Sequence, residues 1–422
     1  MKPKLPEVYF DHKAGSYSLR LEASRFIGLD KTDVKLHLRR AGLSDDNIIK
    51  GIGLGEVENF IYVTQMERAV DYSGPLAGHK CGVFKDASGL RVLVTSEPRE
   101  LVAKSGSLDR WDKFLTELLG EQTRHFLWWL KCARAAQQRG DFAPGQLIVL
   151  AGPSGCGKSL LQLLITEFLG GRSAKPYAFM VGDTTYNGEC AGAEHLVIED
   201  QAASHDIRKR RVFGSKLKEF IVNRELYIHP KGRQAISLPT FRRMSLSVND
   251  EPENLMILPP LDQSILDKVM LFKCSVAELP GERTDNWQGF IRELPALAAH
   301  VERLKIPKDW QCPRYGVKAF HNADLIAMVA EVAPETHLLR VIDEVLFGKD
   351  NKDGLPWRGS AQELERELRQ SKFAFAVERL IYSPSICGVY LARLAMKEPE
   401  RFSQTRSKGK NSWHLKAPRG EA

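Results

Sequence analysis

The spacing of apolar and polar positions divides the chain. Over residues 1–105 the apolar positions form short runs broken by Gly, Asp and Ser. Runs at 7–11, 16–22, 59–63, 81–85 and 90–96 predict strands, and 31–41 predicts a short helix. The period then lengthens: Phe114, Leu115, Leu118 and Leu119, and after Gly120 the set Phe126, Leu127, Leu130 and Ala133, predict one or two amphipathic helices over 107–139. Trp128 and Trp129 point about 100° apart on such a helix, which predicts core packing rather than a stacking platform. From Gly145 to about residue 279 strand-like and helix-like segments alternate, as in a parallel α/β sheet. Residues 286–345 are mostly helical in pattern. After the polar turn Asp350-Asn351-Lys352-Asp353-Gly354, three short helices and a hairpin are expected from Trp357 onward.

The expected division is a β-rich N-terminal domain (1–106), a helical lead-in (107–142), an α/β core (143–285), a helical segment (286–350) and a small C-terminal unit (351–422).

At 422 residues, 43% hydrophobic and 27% charged, the composition is that of a soluble globular protein. No apolar run reaches the roughly 18 residues of a membrane span. The opening Met1-Lys2-Pro3-Lys4 lacks the apolar core of a signal peptide, so a cytoplasmic location with no membrane partner is expected. The seven cysteines form no C-x-x-C pair, which predicts reduced thiols and no zinc site. The net charge of +8 permits a nucleic-acid partner, and the clustering of that charge must decide.

The strongest chemical signal follows the apolar run at 147–151. Gly152-Pro153-Ser154-Gly155-Cys156-Gly157-Lys158-Ser159 fits the phosphate-loop pattern G-x-x-x-x-G-K-[ST], and a helical stretch continues from Leu160. Glycines let backbone N–H groups converge on phosphate oxygens, and the helix presents its positive dipole end to the same anion. Lys158 is expected at the β- and γ-phosphates and Ser159 on Mg²⁺. About forty residues on, the apolar run 195–198 ends in Glu199 and Asp200. One carboxylate is expected in the Mg²⁺ shell and the other as general base on the attacking water, in either order. A third strand, 244–248, ends at Asn249, which is placed to meet the γ-phosphate or the lytic water.

These three elements in this order resemble the superfamily 3 helicases of DNA viruses, phages and mobile elements, AAA+-type ATPases that form rings around DNA. The wording Val248-Asn249-Asp250-Glu251-Pro252, with Leu258-Pro259-Pro260-Leu261-Asp262 and Asp267-Lys268, is similar to phage-type primase–helicase proteins. The resemblance covers 107–285 and extends toward the C-terminus. Residues 1–105 resemble the lead-in of such proteins only loosely. It implies an ATP-dependent DNA helicase or translocase, with ATP and Mg²⁺, in a ring expected to be a hexamer. Its setting would be replication of a phage, plasmid or mobile element. No primase site is visible, so any primase would be a separate partner. A second function class shares every site residue: an ATP-driven DNA-binding switch, or an anti-phage defence ATPase, that does not unwind.

The resemblance also implies a hairpin gripping single-stranded DNA in the channel. Residues 227–236 fit it, with His229, Lys231 and Arg233 as contacts. Arg210 and Arg211, in a basic run, are candidate contacts to the neighbouring subunit. Where this family carries an arginine finger, Lys268 stands instead, a compact charge without the bidentate fork. Arg242, Arg243 or Arg283 are the alternatives.

Over 358–420 there are 13 Lys/Arg against 6 Asp/Glu, so most of the net charge lies in the tail. The tail resembles the winged-helix DNA-binding module of phage primase–helicases. That implies duplex contacts from Arg393 and Lys397 on a recognition helix and from Arg406, Lys408 and Lys410 on a wing.

Overall fold

The computed structural model describes residues 5–140, 142–199, 207–279, 282–331, 333–348, 355–381, 383, 385–407 and 410–418. The chain divides into two compact units, 1–325 and 326–422.

The N-terminal elements are β1 Val8–Asp11, β2 Ser16–Glu22, β3 Arg25–Leu29, α1 Lys31–Arg40, α2 Glu56–Glu67, β4 Ala69–Val70, β5 Tyr72–Gly74, β6 Gly82–Lys85 and β7 Arg91–Val94. They form two sheets, in order β3-β2-β1-β4 and β5-β7-β6. The strand expected at 59–63 is part of α2. Its β-branched and aromatic residues mislead locally, but Val57, Ile61 and Thr64 recur at helical spacing and are its buried side chains. Val57 and Ile61 join Val34 and Leu38 of α1 against Val8, Tyr17 and Leu19, and burial outweighs local strand preference.

The core opens with two helices, α3 Asp109–Leu119 and α4 Thr123–Gln138. Trp129 is buried and its indole N–H donates to the Gln146 carbonyl at 2.9 Å. Then come β8 Leu147–Ala151, α5 Lys158–Phe168, β9 Ser173–Ala174, α6 Tyr177–Met180, β10 His195–Ile198, α7 Ile207–Val222, β11 Glu225–Ile228, β12 Ile236–Pro239, β13 Arg243–Val248, α8 Gln263–Leu266, β14 Val269–Lys273 and α9 Arg283–Arg303. Five strands pair in parallel, in order β14-β8-β13-β10-β9. β8 is an interior strand, flanked by β14 and β13, and all five of its side chains are fully buried. A parallel sheet covered on both faces requires such an unbroken apolar run. Burying each of these side chains is worth about 1.5–3 kcal/mol for those of Val or Leu size. One large cluster joins β8, β14, α3, α4, α5 and α9.

A polar network is set into this core, with only the Gln162 Oε1 atom among its side-chain polar atoms left without a partner. Gln162 of α5 donates to the Ser245 hydroxyl at 2.9 Å and to the Ile198 carbonyl at 3.1 Å. Ser245 lies 2.8 Å from His195 Nε2, and His195 Nδ1 lies 2.7 Å from the Thr166 hydroxyl. With the ring proton on Nδ1, Ser245 donates to Nε2, Nδ1 donates to Thr166, and Thr166 donates to the Gln162 carbonyl at 3.1 Å. A second ring proton would break the Ser245 bond inside a dry core.

The remaining elements are β15 Gln311–Cys312, β16 Gly316–Val317, α10 Ala323–Glu331, α11 Pro334–Leu346, β17 Trp357–Gly359, α12 Ala361–Arg369, α13 Ala374–Leu380, α14 Ile386–Lys397, β18 Phe402–Ser407 and β19 Lys410–Leu415. In the second unit β17, β19 and β18 form an antiparallel sheet. α12 starts with a full capping box between Ser360 and Glu363. Phe402, Trp413 and Leu415 are buried on one face of the sheet, and Tyr390, Leu391 and Leu394 are buried on α14.

Full burial pushes the His195 pKa down to about 3. Below pH 6.5 the unfolded chain binds a proton that the folded chain refuses, so stability falls as pH falls from 6.5 toward 3, by about 1.4 kcal/mol per unit. Urea midpoints at pH 7.5, 6 and 5 are expected to drop, and His195→Asn is expected to remove one proton's worth of that slope. Equal slopes in the two proteins would refute the assignment.

Candidate functional site: a phosphate-loop cavity and a basic hairpin

The site lies at the C-terminal edge of the parallel sheet, where open α/β sheets hold ligands. β8 ends at Ala151, which pairs with Val248 of β13, so Gly152 and Asn249 leave the sheet side by side. Gly152 must be glycine: an added Cβ would stand 2.4 Å from the Cys274 carbonyl oxygen. Gly155 and Gly157 hold φ of 76° and 118°, in the region that disfavours other residues. α5 starts at Lys158 immediately after this turn and aims its N-terminal end into the cavity.

Lys158 is 7% exposed. Its ammonium donates to the carbonyls of Gly152 (2.6 Å) and Pro153 (2.8 Å) and to Asn249 Oδ1 (3.2 Å). The charge is therefore satisfied without a ligand, by acceptors that a phosphate can replace. Cys156 points away from the cavity, under the loop. Its pKa is held down to about 6, because the Cys274 thiol hydrogen-bonds it and Lys158 lies 3.9 Å away.

The cavity measures about 750 Å³. Ser154, Gly155, Gly157, Lys158, Ser159 and Leu160 line it from the loop and α5, and Ser247 and Asn249 line it from the β13 side. Gly152, Pro153 and Cys156 shape the loop without lining it. Phe114 of α3, Leu279, and Asn286 and Trp287 of α9 complete the walls. Sequence analysis missed these four. Phe114 stood out only as a helix-face residue, and nothing in a linear pattern joins it to Leu279, Asn286 and Trp287.

Glu199 follows β10, on the strand beside β13, and its carboxylate pairs with Lys175. Asp200 lies outside the described residues. The Ser159 hydroxyl and a strand-end carboxylate are hard oxygen donors, which suits Mg²⁺. Among the described residues no three His, Cys, Asp or Glu side chains gather as a metal cage.

The expected basic contacts meet different fates. Arg242 is buried and donates to the Phe220, Thr240 and Asn223 carbonyls, and burial pushes its pKa down to about 10. Arg243 is buried and donates to the Ala143 and Arg242 carbonyls. Arg210 is buried with its Nε on the Leu258 carbonyl, and Arg211 is half-buried beside it on α7. Lys268 is buried and donates to Asp267 at 2.6 Å. Arg210, Arg242, Arg243 and Lys268, the residues expected at a neighbouring subunit, are thus each buried and engaged within their own chain. The Arg283 side chain lies outside the described residues.

The hairpin β11–β12 pairs from Glu225 opposite Pro239 to Ile228 opposite Ile236. Its tip residues Lys231, Gly232, Arg233 and Gln234 are exposed. Asn187, which no sequence pattern marked, clamps its base. Its side chain donates to the Tyr227 carbonyl and accepts from the His229 N–H, both at 2.7 Å. His229 sits between the rings of Tyr186 and Tyr227, at 5.1 and 6.3 Å.

In the second unit Arg393 and Lys397 of α14 both bind Glu335 of α11, at 3.3 and 3.2 Å. Burial pushes the Glu335 carboxyl up, but its own backbone N–H and these two cations bring it below the ordinary value. Both expected duplex contacts are therefore ion-paired to α11, with Lys397 still exposed. Arg406 is exposed on β18; Lys408 and the Lys410 side chain lie outside the described residues.

No protein-family model matches the chain, and no curated protein matches it. Among solved structures it is similar to the apo C-terminal region of NrS-1 (residues 305–718), with 13% identity, a TM-score of 0.59, and coverage of 98% of this chain and 96% of that one. An A-form apo structure of the same region gives 14% identity, a TM-score of 0.57, and coverage of 98% and 97%. At such identity the likeness is one of fold.

Gly152→Ala forces a Cβ against backbone that cannot yield. It is expected to weaken triphosphate binding at least ten-fold in a calorimetric titration while the circular dichroism spectrum persists. Wild-type affinity in that variant would contradict the close approach.

Proposed function

We propose that the chain is an ATP-driven DNA helicase or translocase that works as a ring of identical subunits, expected to be a hexamer. The observation that carries this reading is the Lys158–Asn249 contact at 3.2 Å, made across two neighbouring strands at the mouth of the phosphate-loop cavity. It joins the residue expected on the phosphates to the residue expected to sense them. The exposed cationic hairpin, clamped by Asn187, supports DNA as the second substrate, because exposed Lys and Arg beside aromatic rings match a phosphate backbone and its bases.

In this reading ATP draws the Lys158 ammonium off the Gly152 and Pro153 carbonyls and onto its β- and γ-phosphates. Asn249, released from Lys158, is left to orient the γ-phosphate or the attacking water. Ser159 with Glu199 or Asp200 holds Mg²⁺, which neutralises charge on the phosphate oxygens. The other carboxylate accepts a proton from water, once Lys175 yields if that group is Glu199. Phe114, Leu279 and Trp287 form the apolar side of the cavity, suited to a nucleobase. Lys231, Arg233 and His229 hold the single strand. The tail is read as a winged helix, with Arg406, Lys408 and Lys410 as its wing. Arg393 and Lys397 join a duplex contact only if Glu335 gives them up. Among the described residues no helix is long and apolar enough to cross a membrane.

Lys158→Ala is expected to lower ATP turnover by about 10²-fold or more. Lys231→Ala with Arg233→Ala is expected to leave basal turnover intact but remove both its stimulation by single-stranded DNA and strand displacement. Unchanged stimulation and displacement would overturn the helicase reading, and turnover without displacement in the wild type would favour a non-unwinding switch. Glu335→Gln is expected to raise duplex affinity and steepen its salt dependence by freeing two cations. A filter-binding salt series that matches wild type would remove Arg393 and Lys397 from the DNA surface.

A further inference from the structure

A second cavity, of about 820 Å³, lies at the opposite edge of the parallel sheet. Arg243, the first residue of β13, and Ala143 and Pro144, just ahead of β8, place it there. Five cations line it: Lys131, Arg139, Arg243, Lys305 and Arg314. Among the described residues no Asp or Glu is in its wall, and Asp141 lies outside them. The acids nearby are engaged at its margins. Asp267 pairs with Lys268 and lies 3.6 Å from Arg314, and Glu302 binds Arg134 and Gln138. Arg314 lies over the Tyr315 ring, 5.2 Å from its centroid, and Lys131 is held by the Glu302 backbone carbonyl at 2.8 Å.

Like charges on one concave wall repel each other, and the low-dielectric walls focus their field into the cavity. A surface built this way attracts an anion of more than one charge. Guanidinium forks match phosphate oxygens in particular. The volume suits a small molecule, and Ala135, Ile306 and Pro313 add apolar wall between the charges.

We propose that this cavity is an anion site that receives the polyphosphate of a nucleoside triphosphate. The nucleotide comes from one of two sources, free solution or the phosphate loop of a second copy of this chain. The second source rests on the ring reading above and gives the trans-acting role to Arg314, Arg139 and Lys305, in place of the buried Lys268 and Arg242.

Two variants test it. The loop variant is Lys158→Ala. The cavity variant carries Arg139→Gln, Lys305→Gln and Arg314→Gln, all exposed side chains, and leaves the buried Arg243 in place. ATP binding at the phosphate loop reports that the cavity variant is folded. In the first arm the dilute loop variant is titrated with ATP and with inorganic triphosphate. Binding that weakens ten-fold or more when the three Gln substitutions are added supports the free-nucleotide source. In the second arm the two variants are mixed. Hydrolysis well above either variant alone supports the second-copy source, because each supplies the half-site the other lacks. No triphosphate binding by the loop variant together with no rescue in the mixture overturns the proposal, whether or not the phosphate loop binds ATP. A cavity that takes a short oligonucleotide but no triphosphate overturns it too. A wild type without ATPase activity counts against the helicase reading alone, since the first arm measures binding only.

Discussion

The parallel register of β8 against β13 and β14 is the constraint on which the rest depends. Ala151 pairs with Val248 and with Lys273, so three chain segments leave the sheet together. Gly152 then runs so close to Cys274 that no side chain fits. The phosphate-loop turn, Asn249 and the start of α5 follow from that crossing. A slip of one residue would turn the apolar faces of β8 and β13 over and separate Lys158 from Asn249. The register is secured by the fully buried side chains of β8 and by the Gln162–Ser245–His195–Thr166 network, which ties α5 to the neighbouring strands.

Held this way, the site is self-satisfied without ligand. A buried ammonium is costly unless every proton finds an acceptor. Lys158 finds three oxygens, two from the loop itself and one from Asn249. In the proposed function, binding a triphosphate is therefore an exchange of acceptors rather than the filling of a void. The exchange couples the loop to β13, because the acceptor that Lys158 gives up on Asn249 is freed for another partner. This makes Asn249 a natural reporter of what occupies the loop.

The cations separate by burial, and burial decides what each can do. Arg242 and Arg243 look like surface residues in a polar stretch but sit at the entry to a central strand, bonded to backbone carbonyls. Lys231 and Arg233 differ little from them in composition, but they occupy a hairpin tip with no core beneath it. In the second unit the basic pair Arg393 and Lys397 on α14 shares one buried carboxylate from another helix, which offsets half of its charge. Net charge alone therefore overstates the surface available to a polyanion, while the cavity on the far edge of the sheet concentrates five cations that no linear run reveals.

The sequence by itself determined the local chemistry. The phosphate loop, the carboxylate at the end of 195–198, Asn249 at the end of β13, the hairpin and the capped α12 are each specified by contiguous residues, because turn glycines, caps and apolar period act over a few positions. The helix at 56–67 was misread as a strand, since Phe60, Tyr62 and Val63 favour a strand locally and mask the helical spacing of Val57, Ile61 and Thr64 until their burial is known. Nor were Phe114, Asn187, Asn286 and Trp287, which join their sites from elements far away in the chain. Only the tertiary structure decided which cations are committed to internal acceptors and which remain exposed. That outcome depends on which carbonyls and carboxylates each side chain meets once long-range strand pairing and helix packing have formed.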